Sequence, residues 1–93
     1  MSTAKRYKID KDKITYRIID AEAVILNLDN GYYYSLNETG TKIWKHINDG
    51  KNLSEILDSL KTEFQIPENK LKNDLFGLIK DLEKEELVKC NSK

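Results

Sequence analysis

The fold is decided by one stretch of this chain, residues 29–44, which reads DNGYYYSLNETGTKIW. Within it the spacing of the hydrophobic residues changes from a period of two, typical of a strand, to a period of about 3.6, typical of a helix. Asn37 stands at this change and is a suitable N-cap residue. The sequence therefore predicts that an edge strand runs directly into a capped helix.

A small antiparallel sheet is predicted upstream of and into this stretch. Residues 23–28 are β-branched and apolar, and Asp29-Asn30-Gly31 supplies the positive φ that a tight hairpin needs. Residues 14–19 alternate in the same way and add a first strand. Since sequential strands with short connections usually pair as neighbours, the strands at 14–19, 23–28 and 32–36 should form a meander. Its edge at the last strand stays open unless another element covers it.

The triple tyrosine lies on this edge strand. Alternation along a strand turns Tyr32, Tyr34 and Leu36 to one face, and Tyr33 and Ser35 to the other. We expect Tyr34 to complete the core, whereas the opposite face is left available for a partner.

Three helices are predicted after the sheet. The first ends at residues 48–50, the second begins at Asn52 with Glu55 in a capping box, and the third opens at Pro67 and runs to residue 84. The expected core residues of the second and third helices are Leu53, Ile56, Leu57, Leu60 and Phe64, and Leu71, Leu75, Leu78 and Leu82, respectively.

Three residues of the third helix stand outside this stripe. Phe76 and Ile79 widen its apolar face beyond what one core contact requires. Gly77 costs about 1 kcal/mol relative to alanine in a helix, so it either permits the close approach of a neighbouring backbone or is simply tolerated.

The element order predicts an α+β domain that is winged-helix-like: a three-stranded antiparallel β-meander followed by three helices. With 93 residues the chain has room for one domain. We assign the domain to residues 14–88, a mobile basic arm to residues 1–13 and a tail to residues 89–93. Residues 87 and 88 are expected to add a short terminal strand.

The composition limits the functions that this domain can have. Sixteen Lys and Arg balance sixteen Asp and Glu, so no global field attracts nucleic acid or a membrane surface. The apolar runs are far shorter than the roughly 20 residues that span a bilayer, and no export signal follows the charged N-terminus. Cys90 is the only cysteine, which excludes an intrachain disulfide and fits the cytoplasm.

No catalytic, metal-binding or cofactor-binding pattern is present. His46 is the sole histidine and has no Cys, Ser or carboxylate partner at a recognisable catalytic spacing. Paired metal ligands and a glycine-rich phosphate loop are also missing from the sequence. The chain is therefore interpreted as a binding module without a cofactor rather than an enzyme.

The third helix weighs against one binding function that the shape suggests, that of a winged-helix DNA-binding regulator. Residues 67–84 hold four lysines, four acidic residues and no arginine. A helix that reads DNA should be rich in arginine and lysine, so this alternative is disfavoured.

Over residues 14–88 the chain resembles the PqqD-like family, the small leader-peptide-binding domains also called RiPP precursor recognition elements. Its most specific part is an LN-x-TG-x-x-IW element followed by a DG stop. The residues that carry the resemblance are Val24-Ile25-Leu26, residues 31–40, Ile43-Trp44, Asn48-Asp49-Gly50, Asn73-Asp74-Leu75, Leu78 and Leu82. The chain departs from the family pattern at Glu86, where Gly is frequent, and at Asn52, where Thr is usual.

The resemblance implies a function in peptide maturation. Family members bind the leader segment of a ribosomally made precursor peptide and deliver it, as a chaperone would, to a separate maturation enzyme, either a radical SAM enzyme or a lasso-type leader peptidase. An extended leader would add a strand to the tyrosine edge, against the third helix. The residues expected to bind it are Tyr32, Tyr33, Tyr34, Ser35, Lys72, Phe76, Ile79 and Lys80. Lys72, Lys80 and the basic arm would guide acidic leaders.

Two other roles stay open. The domain could join two enzyme subunits without touching the precursor, and the open tyrosine edge leaves room for a homodimer.

Overall fold

The computed structural model of the protein describes residues 5–91. The elements in chain order are β1 (Arg6–Lys8), β2 (Ile14–Ile19), β3 (Glu22–Asn27), β4 (Tyr33–Leu36), α1 (Glu38–Asn48), α2 (Leu53–Glu63), α3 (Glu68–Lys84) and β5 (Lys89–Asn91). Strands β2, β3 and β4 form an antiparallel sheet in that order. The predicted α+β class and the meander followed by three helices are thus confirmed.

Helix α1 lies at the centre of the domain, in contact with β1, β3, β4, α2 and α3. Its Trp44 is completely buried, and the ring of Tyr16 from β2 meets the Trp44 ring edge-on, with ring centroids 5.4 Å apart. Such aromatic pairs contribute about 0.5–1.5 kcal/mol beyond their buried area. The core therefore forms where the inner face of the sheet packs against α1.

The junction of β4 and α1 is held by hydrogen bonds that the sequence predicts only in part. The Asn37 side chain accepts from the Gly40 N–H at 2.9 Å, as expected for an N-cap. A Cβ on Gly40 would lie 3.3 Å from the Leu36 Cβ, so glycine permits this tight packing. The Thr41 hydroxyl accepts from the Ala23 N–H at 2.9 Å and donates to the Leu36 carbonyl at 3.4 Å. One side chain of α1 thus bridges β3 and β4.

The prediction of a mobile basic arm over residues 1–13 is corrected by β1. Tyr7 and Ile9 are buried, and the Lys5 carbonyl accepts a hydrogen bond from the Leu53 N–H at 3.0 Å. The charged residues around Tyr7 and Ile9 hid this apolar alternation in the sequence. Residues 1–4 lie outside the described part of the chain.

The C-terminal boundary moves in the same way. Strand β5 pairs antiparallel with β1, with Tyr7 opposite Cys90, so the predicted tail at residues 89–93 is folded as far as residue 91. Leu87 and Val88, which were predicted to form the terminal strand, are buried just before it. Residues 92 and 93 are outside the described range.

Helix α3 buries three of its four predicted core residues, and Ile79 replaces Leu78 as the fourth. Its buried residues are Leu71, Leu75, Ile79 and Leu82. Leu78, which was assigned to this stripe, is only half-buried. Leu78 and Ile79 stand three and four residues after Leu75, and both spacings place a residue on the same side of a helix as Leu75. Periodicity alone therefore does not choose between them. A Cβ on Gly77 would meet no atom within 4 Å, so Gly77 serves no close backbone contact in this fold.

His46 joins α1 to α2. Its Nε2 lies 2.8 Å from Glu63 Oε1, and Lys51 Nζ lies 3.0 Å from its Nδ1. Because a lysine ammonium only donates, Nδ1 accepts and Nε2 donates its hydrogen to Glu63. Lys42 also pairs with Glu63 at 3.4 Å. Glu63, 17 residues away on the next helix, is thus a carboxylate partner of His46 that no recognisable spacing in the sequence indicates.

Helices α1 and α3 end in the same hydrogen-bonded motif but with different residues. Gly50 follows the end of α1 with φ 82°, and Glu86 follows the end of α3 with φ 59°. At α3 the Leu87 N–H donates to the Leu82 carbonyl at 2.8 Å, and the Glu86 N–H donates to the Glu83 carbonyl at 3.0 Å. This is a Schellman motif, in which glycine is usual at the left-handed position. Glu86 therefore carries backbone strain.

Replacing Glu86 by glycine should stabilise the protein. The left-handed conformation costs an L-residue about 1–2 kcal/mol, whereas glycine loses about 0.5–1 kcal/mol through chain entropy. We expect Glu86→Gly to raise the free energy of unfolding in urea by about 0.5–1 kcal/mol. Glu86→Gln should give no such gain, because it removes the charge and keeps the strain. Glu85→Gly, at a position with φ −83°, should be destabilising. A loss of stability in Glu86→Gly would contradict this assignment.

Glu63 should contribute to acid sensitivity. Burial raises the pKa of Glu63, but the hydrogen bonds from His46 and Lys42 outweigh it and hold the pKa below its usual value of 4.5. A carboxyl with a depressed folded pKa stabilises the fold above its unfolded pKa, and this contribution disappears as the pH falls through the folded pKa.

We therefore expect Glu63→Gln to lower the free energy of unfolding near neutral pH and to flatten its decline from about pH 5 to about pH 3. Urea titrations across this range measure both effects. Glu22→Gln, at an exposed position of β3, is the matched control. Identical pH slopes for wild type and Glu63→Gln would show that the pair has no such role.

Candidate functional site

The outer edge of β4 is the first part of the candidate site. Strand β4 pairs with β3 alone, and no other strand of residues 5–91 covers its second edge. The Asn27 N–H donates to the Tyr32 carbonyl at 3.0 Å, so Asn27 and Tyr32 are a hydrogen-bonded pair. Hydrogen-bonded and non-hydrogen-bonded pairs alternate along an antiparallel ladder, so Ile25 and Tyr34, two positions along, are hydrogen-bonded as well. It follows that Tyr33 and Ser35 turn their N–H and carbonyl groups to the open edge.

The loop before β4 fixes the register of this edge. The buried Asn27 side chain accepts hydrogen bonds from the N–H groups of Asp29 at 2.9 Å and Asn30 at 3.4 Å. Gly31 then supplies the positive φ of 75°. The predicted Asp-Asn-Gly hairpin is confirmed, although β4 begins at Tyr33 rather than at Tyr32.

The tyrosines divide between two environments as the alternation predicts for β4. Tyr34 is half-buried and Leu36 is buried, both on the helix side, whereas Tyr33 is 72% exposed on the other face. Tyr32 lies in the loop before the strand and is 70% exposed.

A groove of about 580 Å³ separates this edge from α3. Tyr34, Ser35 and Leu36 form one wall, and apolar side chains of Ile43 and Ile66 contribute to the lining. The α3 residues that line it are Lys70, Asn73, Asp74, Gly77, Leu78 and Asp81. These positions share one face of the helix at i, i+3, i+4 and i+7 spacing.

The helical wall is therefore not the one that the sequence predicts. Ile79 is completely buried and cannot line an open groove. Lys72, Phe76 and Lys80 are absent from the residues that line it, and Lys72 instead pairs with Glu68 at 3.5 Å. Leu71, Leu75 and Leu82 are buried as predicted, so the error concerns the flank of the stripe: the groove borders the flank that carries Leu78, not the one that carries Phe76.

All six α3 residues that line the groove were missed as site residues: Lys70, Asn73, Asp74, Gly77, Leu78 and Asp81. The signal was present in the sequence, since these residues form the row next to the true core stripe.

The tyrosine end of the groove is acidic. Burial raises the pKa of Tyr34, and the nearby carboxylates of Asp81 and Glu85 raise this pKa further. At the other end Lys70 Nζ lies 3.4 Å from Asp74 Oδ2, so these two charges offset each other.

Neither a metal centre nor a membrane span emerges from the described part of the chain. No group of three or more His, Cys, Asp or Glu residues within it could hold a metal ion. None of its helices combines the length and the apolar composition needed to cross a membrane.

Two solved structures are similar to this fold. The first, TbiB1 in complex with the TbiA(beta) leader peptide, is 32% identical, with a TM-score of 0.82 over 88% of this chain and 94% of that chain. The second, a lasso peptide synthetase B1 complexed with the leader peptide, is 20% identical, with a TM-score of 0.80 over 90% of this chain and 98% of that chain. The latter likeness supports the fold alone.

Sequence comparison places the chain in a family. A search of curated proteins gives no significant match. The family model described as coenzyme PQQ synthesis protein D (PqqD) matches residues 22–88, from β3 to the end of the buried segment after α3. Because this match covers well over half of the chain, the protein belongs to the PqqD family.

Proposed function

We propose that the groove between β4 and α3 binds the leader segment of a ribosomally synthesised precursor peptide. The observation that carries this proposal is the unpaired edge of β4, which lies directly beside an open groove. The similar structure of TbiB1, which is 32% identical and contains a leader peptide, supports the same ligand class.

The leader would bind as an added strand. Tyr33 and Ser35 offer two N–H and two carbonyl groups to it, and such main-chain hydrogen bonds give affinity without fixing the sequence. Side chains of the added strand alternate between the two faces of the sheet. Those on the side of Tyr34 and Leu36 would enter the groove, where Leu78 and Ile66 offer apolar contacts.

The protein would present the peptide rather than modify it. His46, a candidate general base by residue type, is held between Glu63 and Lys51 at the α1–α2 contact. Cys90 lies in β5, paired opposite Tyr7 and outside the groove lining. A separate maturation enzyme, a radical SAM enzyme or a leader peptidase, would perform the chemistry in the cytoplasm.

The ion pairs of α3 disfavour the alternative of a DNA-binding regulator. Lys70 pairs with Asp74, and Lys72 pairs with Glu68. Lysines that already face carboxylates contribute less to phosphate neutralisation, which supplies most non-specific DNA affinity.

The direct test is binding of the leader segment of the cognate precursor peptide. We expect calorimetry to give a dissociation constant between nanomolar and micromolar, which corresponds to a binding free energy of about −8 to −12 kcal/mol.

Gly77→Leu should separate binding from folding, because it fills the groove and also replaces a poor helix former. We expect it to stabilise the protein by about 0.5–1 kcal/mol and to weaken leader binding by at least about tenfold.

Lys80→Leu introduces the same side chain on a face of α3 that does not line the groove, so it should leave the affinity unchanged. Full leader affinity in Gly77→Leu, or a loss confined to Lys80→Leu, would place the peptide elsewhere.

Strand addition can be tested with proline. Ser35→Pro removes an N–H that faces the open edge, where proline is tolerated. We expect the variant to stay folded and to lose about tenfold in leader affinity, the equivalent of one hydrogen bond of about 1.4 kcal/mol.

Two controls complete this series. Ser35→Ala keeps the N–H and should bind normally. Tyr34→Pro removes a hydrogen bond of the β3–β4 ladder and should unfold the domain in a thermal melt. Unchanged affinity of a folded Ser35→Pro would rule out main-chain pairing at this residue.

A further inference from the structure

We propose that this groove selects its peptide by charge: it favours a lysine or arginine at the residue opposite Tyr34, and an apolar residue two positions away, opposite Leu36. This inference rests on the proposed function and names the class of peptide segment that the groove accepts.

The position of the selected residue follows from the pairing. Directly opposed residues of neighbouring strands point to the same face of a sheet. Tyr34 and Leu36 point to the helix side, so the peptide residues opposite them also face α3. Successive residues on that face are two apart.

The charge at the Tyr34 end is negative. Asp81 lines the groove, and Glu85 lines a small adjoining cavity together with Tyr32, Tyr33 and Tyr34. Both carboxylates lie close enough to raise the pKa of the Tyr34 hydroxyl. The carbonyl end of α3 adds partial negative charge at the same place.

No basic side chain of the described residues forms an ion pair with these carboxylates. Neither Asp81 nor Glu85 has a basic nitrogen within 4.0 Å, although Lys80 and Lys84 are close in sequence. Lys70, the basic residue that lines the groove, already pairs with Asp74 and lies eleven residues, or about 16 Å, along the helix from Asp81.

An added strand would cover Asp81 and reduce its contact with water. Partial desolvation is costly for an unpaired carboxylate, and a cation placed opposite compensates for it. An acidic side chain at the same position would add repulsion between like charges. The expectation that Lys72 and Lys80 guide acidic leaders does not apply to the groove, because neither residue lines it.

A random-peptide display library selected on the immobilised full-length protein tests this inference. Peptides that still bind the groove-filling variant Gly77→Leu are discarded, so that the remaining ones depend on the groove. We expect a lysine or arginine to be enriched two positions from an apolar residue. Peptides selected on the Asp81→Asn/Glu85→Gln variant should lose the preference for a basic residue and keep the preference for an apolar one. Glu83→Gln is the control, because it removes a charge from the same helix outside the groove lining, and peptides selected on it should match those selected on wild type.

Affinities of one selected peptide give the quantitative result. Replacing the basic residue of this peptide by glutamine should weaken its binding to the wild-type protein about fivefold to tenfold. The same replacement should leave the affinity for the Asp81→Asn/Glu85→Gln variant unchanged, because that variant lacks both carboxylates. Groove-dependent peptides without a basic preference, or with an acidic one, would overturn the charge selection and leave the proposed function intact. If no peptide depends on the groove, the proposed function itself fails, and the inference fails with it.

Discussion

The architecture depends on the junction at which β4 becomes α1. There the Thr41 hydroxyl stands between the Ala23 N–H and the Leu36 carbonyl and takes the place of a direct ladder hydrogen bond. A buried donor or acceptor left without a partner costs about 1–3 kcal/mol, so this bridge fixes the start of α1 against both strands. With its start fixed, α1 places Trp44 in the core against the inner face of the sheet.

This arrangement also leaves the functional edge open. Helix α1 leaves from the end of β4, and α3 contacts α1 and α2 rather than pairing with the strand edge. Open edges are usually protected, because unpaired N–H and carbonyl groups invite association. Here the edge is short, four residues, and lies beside a helix face that carries Gly77 and Leu78. Shortness limits non-specific pairing, and the adjacent groove lets side chains decide which peptide is accepted.

Local signals in the sequence predicted most of the fold. The hairpin at Gly31, the cap at Asn37 and the capping box at Asn52 each depend on residues a few positions apart, and the structure contains all three. The pairing of Tyr7 with Cys90 joins the two ends of the chain, and no local pattern indicates it.

The candidate site was predictable on one side only. On the strand side, Tyr34 and Ser35 line the groove as predicted, whereas Tyr32 and Tyr33 do not line it. The helical wall depends on which flank of the α3 core stripe borders the groove, and two adjacent apolar residues, Leu78 and Ile79, fit that stripe equally well by spacing. Packing buries Ile79 and leaves Leu78 half-exposed, which turns Asp81 rather than Lys80 toward the strand.

Amide hydrogen exchange of β4, measured with and without the leader peptide, tests the central claim most directly. In the free protein the Tyr34 N–H faces β3 and should be protected, whereas the N–H groups of Tyr33 and Ser35 should exchange rapidly. Strand addition predicts that the leader slows exchange at Tyr33 and Ser35 and changes Tyr34 little. A bound leader that leaves Tyr33 and Ser35 in rapid exchange would contradict the account.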